Sequence, residues 1–176
     1  HLFNLSKLSD TNIKEAISLT RNVGSDFEQT SILKELIRTQ QISDSELWSQ
    51  LFKVSKKVGS DFELTNLLKF AAEYMPKNES VENAYFNAAG TIGSDFEMKR
   101  LFIHLIESQD VDSHALIKMF KAAEDIGSDF EAASLLIESR QKIGTDPEVF
   151  SAYLELADSI GSDFEMRRAF ASIIDK

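Results

Sequence analysis

Ten carboxylates are the residues of this sequence best placed to do chemistry together. Asp26, Asp61, Asp95, Asp129 and Asp163, with Glu28, Glu63, Glu97, Glu131 and Glu165, recur inside five identical copies of Gly-Ser-Asp-Phe-Glu that begin at Gly24, Gly59, Gly93, Gly127 and Gly161. Stacked along one edge, such side chains could hold cations or a basic partner. Calcium ligands, however, converge from a single loop with a turn glycine inside it, and the Asp-x-Asp-x-Asp-Gly pattern is absent. The histidines, His1, His104 and His114, show no His-Glu-x-x-His or other paired ligand spacing, and there is no cysteine. A Gly-x-Ser-x-Gly elbow, a phosphate-binding glycine loop and a dinucleotide fingerprint are missing as well. The expectation is a protein without catalytic residues, metal or cofactor.

The spacing of the pentapeptide gives it a different purpose. Its copies are 35, 34, 34 and 34 residues apart, and a fixed period of this size marks stacked repeats in which each unit touches only its neighbours. The expected fold is all-α: a right-handed α-α superhelix, or solenoid, of five 34-residue helix-turn-helix repeats at about 9–43, 44–77, 78–111, 112–145 and 146–176, forming one domain over 1–176. Residues 1–8 read as the tail of a preceding helix. With no initiator Met and no polar capping repeat at either end, the chain reads as part of a longer protein.

Aligned on the repeated Gly, the position fifteen residues earlier holds Ser9, Asp44, Asn78, Asp112 and Asp146, side chains that accept from the free amides of a helix start. Pro147 suits the first helical position. Apolar residues eleven, eight, seven, five and four before the Gly follow helical spacing and define helix A, with Trp48 in the first of these columns and Glu82 a departure from it. Val23, Val58, Ile92, Ile126 and Ile160 are expected to close helix A, and the Gly to adopt a left-handed C-terminal conformation.

Ser25, Ser60, Ser94, Ser128 and Ser162 then open helix B as capping boxes with the Glu three residues on. The intervening Asp meets the helix dipole, a term of roughly 0.3 to 1 kcal/mol each. Helix B carries its stripe eight, nine, twelve and thirteen residues after the Gly. At about 100° per residue the repeated Phe stands roughly 150° from that stripe, which assigns Phe27, Phe62, Phe96, Phe130 and Phe164 to docking on the adjacent repeat. The extra residue of the 35-residue step falls around Gln40 to Ser43. Capping and dipole terms thus account for the carboxylate columns.

Composition narrows the partners. Hydrophobic residues make up 43% and charged ones 27%, enough to bury a continuous core, while 19 Lys and Arg against 29 Asp and Glu give a net charge of −10. That balance opposes nucleic acid, whose binding rests on many cationic contacts. No apolar run approaches the roughly 18 to 20 residues that cross a bilayer, so this segment is not expected to insert into a membrane.

Recognition is therefore sought where the repeats disagree. Ten and eleven residues after the Gly, helix B places Phe70 in repeat 2, Ile103 and His104 in repeat 3 and Ile137 in repeat 4. Ile103 and Ile137 lie seven residues after their Phe, on its side of the helix, and His104 falls on the expected exposed side. Lys99 with Arg100, and Arg167 with Arg168, could recruit an acidic ligand. Phe70, Lys99, Arg100, Ile103, His104 and Ile137 are the candidate contacts for a protein or peptide partner.

Helix-turn-helix units of this period resemble the α-solenoid superfamily of tetratricopeptide and HEAT-type repeats, although the Trp-x-x-Leu-Gly-x-x-Tyr pattern of true tetratricopeptide units is absent. More specifically, Ile-Gly-Ser-Asp-Phe-Glu followed by the Leu-Leu stripe, as at Ile126 to Leu136, resembles the Ser-Asp-Tyr/Phe-Glu helical repeats in the tails of bacterial membrane metallopeptidases of the β-lactam-sensor type. The resemblance implies a bacterial, periplasmic or otherwise extracytoplasmic, sensory or interaction segment. It carries over scaffold residues only, because the chain has no zinc motif. The expectation is a non-enzymatic binding scaffold; the alternative is a passive spacer or regulatory tail.

Overall fold

The computed structural model describes residues 7–108 and 111–174, so most of the expected tail at 1–8 lies outside the described residues. Ten α-helices are found among them. The A helices are α1 (Asp10–Thr20), α3 (Ser45–Ser55), α5 (Glu79–Ala89), α7 (Ser113–Ala123) and α9 (Pro147–Asp158). The B helices are α2 (Asp26–Gln40), α4 (Asp61–Ala72), α6 (Asp95–Ser108), α8 (Asp129–Ser139) and α10 (Asp163–Ile174). Each starts where its cap residue predicts. Ser9, Asp44, Asn78, Asp112 and Asp146 accept from backbone amides two or three residues ahead at 2.8 to 3.3 Å. The five Ser residues of the pentapeptide accept from the amide of their Glu at 3.3 to 3.4 Å.

The ends of the A helices differ from expectation. None closes on a left-handed glycine: Gly24, Gly59, Gly127 and Gly161 all lie outside that region, and the caps Arg21, Lys56, Gly90, Glu124 and Ser159 are right-handed. Instead the chain tightens. The amides of Val23, Val58, Ile92, Ile126 and Ile160 donate to carbonyls three residues back at 3.0 to 3.2 Å, satisfying groups that a helix end leaves open. Four of those side chains, Val58, Ile92, Ile126 and Ile160, are buried, so the turn is held by an apolar plug rather than by a special backbone angle. Left-handed residues follow B helices: Gln41 caps α2 at φ 49°, where the extra residue of the long step lies, and Gly144 precedes α9 at φ 60°.

The chain divides into two compact units, His1–Ile92 and Gly93–Lys176. Within the first, α1, α3 and α5 lie side by side in one layer and α2 packs on α4 in the other. Within the second, α7 packs on α9, and α6, α8 and α10 form the other layer. Helices thus pack chiefly on their equivalents in the next repeat. The predicted stripes fill the core: Ile17, Leu33, Leu36, Leu51, Phe52, Leu67 and Leu68 are fully buried in the first unit, and Leu101, Phe102, Phe120, Leu135 and Leu136 in the second.

The same aromatic contact is built once in each unit. Phe52 of α3 meets Tyr85 of α5 edge-on at 5.4 Å between centroids, and Phe120 of α7 meets Tyr153 of α9 edge-on at 5.8 Å. Their hydroxyls differ. Tyr153 donates to the Ala169 carbonyl at 3.2 Å, whereas the buried Tyr85 hydroxyl meets no acceptor among the described residues. Burial holds both phenols above their ordinary range, so both stay neutral. Tyr153→Phe is expected to destabilise by about 0.5 to 1.5 kcal/mol and Tyr85→Phe to be neutral or stabilising, read from thermal melts. An equal loss at Tyr85 would reveal a partner for that hydroxyl.

Candidate binding surface

In the second unit the Asp column forms joints between repeats. The amide of Gly127 donates to Asp95 Oδ1 at 3.2 Å and that of Gly161 to Asp129 Oδ1 at 3.0 Å. Each Asp therefore ties the first turn of one B helix to the pentapeptide of the next repeat. In the first unit a methyl group at Gly59 would come within 3.5 Å of Asp26 Oδ2, in the same register. At that distance the contact is an ordinary van der Waals one.

In the Glu column two residues reach the preceding repeat and two pair within their own helix. Glu63 accepts from Thr30 of the preceding repeat at 3.2 Å, Glu131 is ion-paired to Lys99 of the preceding repeat, and Glu97 and Glu165 pair with Arg100 and Arg168. Lys34 stands against Glu63; burial lowers its pKa while that carboxylate partly restores it. Among the described residues no three metal-binding side chains converge.

The repeated phenylalanines reverse the sequence reading. Phe27, Phe62, Phe96, Phe130 and Phe164 are 60%, 52%, 54%, 53% and 68% exposed, so the rings are not buried between repeats; Phe130 meets its adjacent repeats through the cations Lys99 and Arg168. In the second unit the Asp to Gly bonds one residue earlier join the repeats as well. In the second unit, cations cross their faces: Lys99 Nζ lies 5.2 Å from the Phe96 centroid and 6.0 Å from that of Phe130, and the Arg168 guanidinium lies 5.4 Å from Phe130.

The other candidates divide between the units. In the second, Lys99 and Arg100 belong to the ion pairs above, which places Lys99 in the joint of repeats 3 and 4. Ile103 and Ile137, one on α6 and one on its neighbour α8, are half-buried, and the Ile137 carbonyl accepts from Arg140 at 2.7 Å. His104 is half-buried with its Nε2 shielded from solvent, where the sequence reading placed it on the open side. In the first unit, Phe70 is half-buried against Tyr74, ring centroids 4.8 Å apart, and it is Tyr74 that is 45% exposed.

Trp48 is core as expected, 1% exposed with its Nε1 donating to the Ile42 carbonyl at 3.0 Å. In the same column Glu82 is buried, while Phe150 is exposed and stacks on Tyr153.

The surface that emerges in the second unit is a strip on the B helices of exposed rings, Phe96, Phe130 and Phe164, with the half-buried Ile103 and Ile137 seven residues further along. Such helices, stacked equivalent on equivalent, define a helical-repeat protein. Compared with protein-family models, with curated proteins and with solved structures, the chain finds no match.

Proposed function

We propose that the chain is a non-enzymatic helical-repeat scaffold that binds a protein or peptide on the exposed sides of its B helices. One observation carries this reading: every repeat leaves a phenylalanine ring more than half exposed at the same position. Burying such a side chain is worth roughly 1.5 to 3 kcal/mol, and that stabilisation is forgone five times over. Scattered single exposures are ordinary; a periodic one is the mark of a contact surface. Ile103 and Ile137 extend the strip in the second unit.

The likeness of the pentapeptide repeats to the tails of β-lactam-sensor-type metallopeptidases supports placing this scaffold in a bacterial envelope, outside the cytoplasm, as a sensory or regulatory segment. No helix among the described residues is long and apolar enough to cross a membrane.

The test is the triple variant Phe96→Ala, Phe130→Ala, Phe164→Ala. Surface substitutions of this kind move stability by about 0.5 kcal/mol each or less, so the helical signal and melt are expected to persist while capture of the partner from a cell extract falls. A folded variant that captures the same proteins as the parent removes this face and favours a spacer.

A further inference from the structure

On the opposite helical layer of the first unit, α1 and α3 enclose a groove of about 470 Å³. Four cations line it: Lys14, Arg21, Lys53 and Lys57, all exposed. Glu46 is the one carboxylate among the lining residues. No ion pair among the described residues engages any of the four. At the base, the Gln50 side chain bridges the helices, donating to the Lys14 carbonyl at 3.2 Å and to the Ser18 hydroxyl. In a chain of net charge −10, this concentration of positive charge is the exception.

The fold does not require it. The second unit builds the corresponding groove between α7 and α9, and there the lining holds Lys121 against Glu148 and Glu155. Nor does the helix dipole demand the cations. Arg21 and Lys53 lie at or near the C-termini of α1 and α3, where positive charge is favoured, yet α7 caps on Glu124 and α9 ends on Asp158. Two grooves of the same architecture thus carry opposite charge, and packing explains neither choice.

We propose that the α1–α3 groove binds a short acidic peptide segment, its carboxylates held by Lys14, Arg21, Lys53 and Lys57. The volume lies within the usual range of ligand clefts. A concave, cation-lined trough gives focused attraction for carboxylates. A long polyanion is disfavoured, because outside the groove it meets a surface with 29 acidic residues against 19 basic ones over the whole chain. The site is separate from the phenylalanine strip and stands whether or not that strip binds anything.

Fluorescence anisotropy with a labelled Glu-rich hexapeptide, its Gln counterpart and a single-stranded oligonucleotide tests the proposal on the full chain. The Glu peptide is expected to bind, more weakly as salt rises, and the Gln peptide not to. Lys53→Glu with Lys57→Glu is expected to weaken binding by about tenfold or more; if circular dichroism shows that pair unfolded, Lys53→Gln with Lys57→Gln takes its place. Equal binding of the Gln peptide, tighter binding of the oligonucleotide, or unchanged binding by a folded groove variant would each overturn the assignment.

Discussion

Trp48→Ala is expected to lower the melting temperature of the first unit by tens of degrees. The indole is 1% exposed, lies 5.7 Å from the Phe52 ring and donates to the Ile42 carbonyl at 3.0 Å. Removing it deletes the largest buried side chain of the chain, leaves a cavity beside Phe52, and orphans the Ile42 carbonyl. Truncations of this kind cost about 3 to 5 kcal/mol, against a total stability of roughly 5 to 15 kcal/mol for a domain. For a unit of this size each kcal/mol is worth about 4 to 8 °C in Tm, so the shift should amount to tens of degrees.

Because the chain holds a single tryptophan, its fluorescence in the parent protein reports the first unit specifically, and circular dichroism reports both. Trp48→Phe, which keeps an aromatic in the site, should lose markedly less. If Trp48→Ala melts with the parent, the helix A column is not the core that the fold requires. The expected loss is a stability effect with no bearing on a ligand, which distinguishes Trp48 from the exposed rings of helix B.

That contrast shows what the sequence could and could not tell. The ten helix starts were legible because caps are local: Ser, Asp or Asn at a fixed distance from the Gly is enough to place an N-terminus, and every one accepts its amide. The core columns were legible because periodicity reports which residues share a face. Periodicity also set Phe27, Phe62, Phe96, Phe130 and Phe164 apart from the helix B stripe, but an angle on one helix does not say whether a neighbour or solvent occupies that side. In the second unit solvent takes more than half of each ring, and the neighbour is met by Asp95 and Asp129 and, at Phe130, by the cations Lys99 and Arg168.

The glycine misled for a related reason. A Gly at a helix end usually signals a left-handed turn, and only backbone angles reveal that Val58 or Ile126 closes the turn first. The cation-lined groove was not legible either. Lys14, Arg21, Lys53 and Lys57 are spread over two repeats and meet only when α1 and α3 are laid side by side.

Asp129→Ala should cost about 2 kcal/mol, well beyond what a first-turn acid contributes to its own helix. Asp129 does two things at once: it meets the dipole of α8, worth roughly 0.3 to 1 kcal/mol, and it accepts the Gly161 amide at 3.0 Å. A hydrogen bond to a charged group contributes about 1.5 to 3 kcal/mol, discounted here because the carboxylate is partly open to solvent. Asp10, an exposed acid in the first turn of α1, isolates the dipole term, and Asp10→Ala should cost only about 0.5 kcal/mol. Asp129→Asn keeps an acceptor oxygen without the charge and should fall between. In a stack of repeats stability is the sum of intrinsic and nearest-neighbour terms, so the loss at Asp129 falls on the coupling of repeats 4 and 5. Urea titration of the three variants separates the roles: a lower midpoint with a shallower transition for Asp129→Ala marks a broken joint, and equal shifts at Asp129 and Asp10 would reduce the pentapeptide Asp to a helix cap.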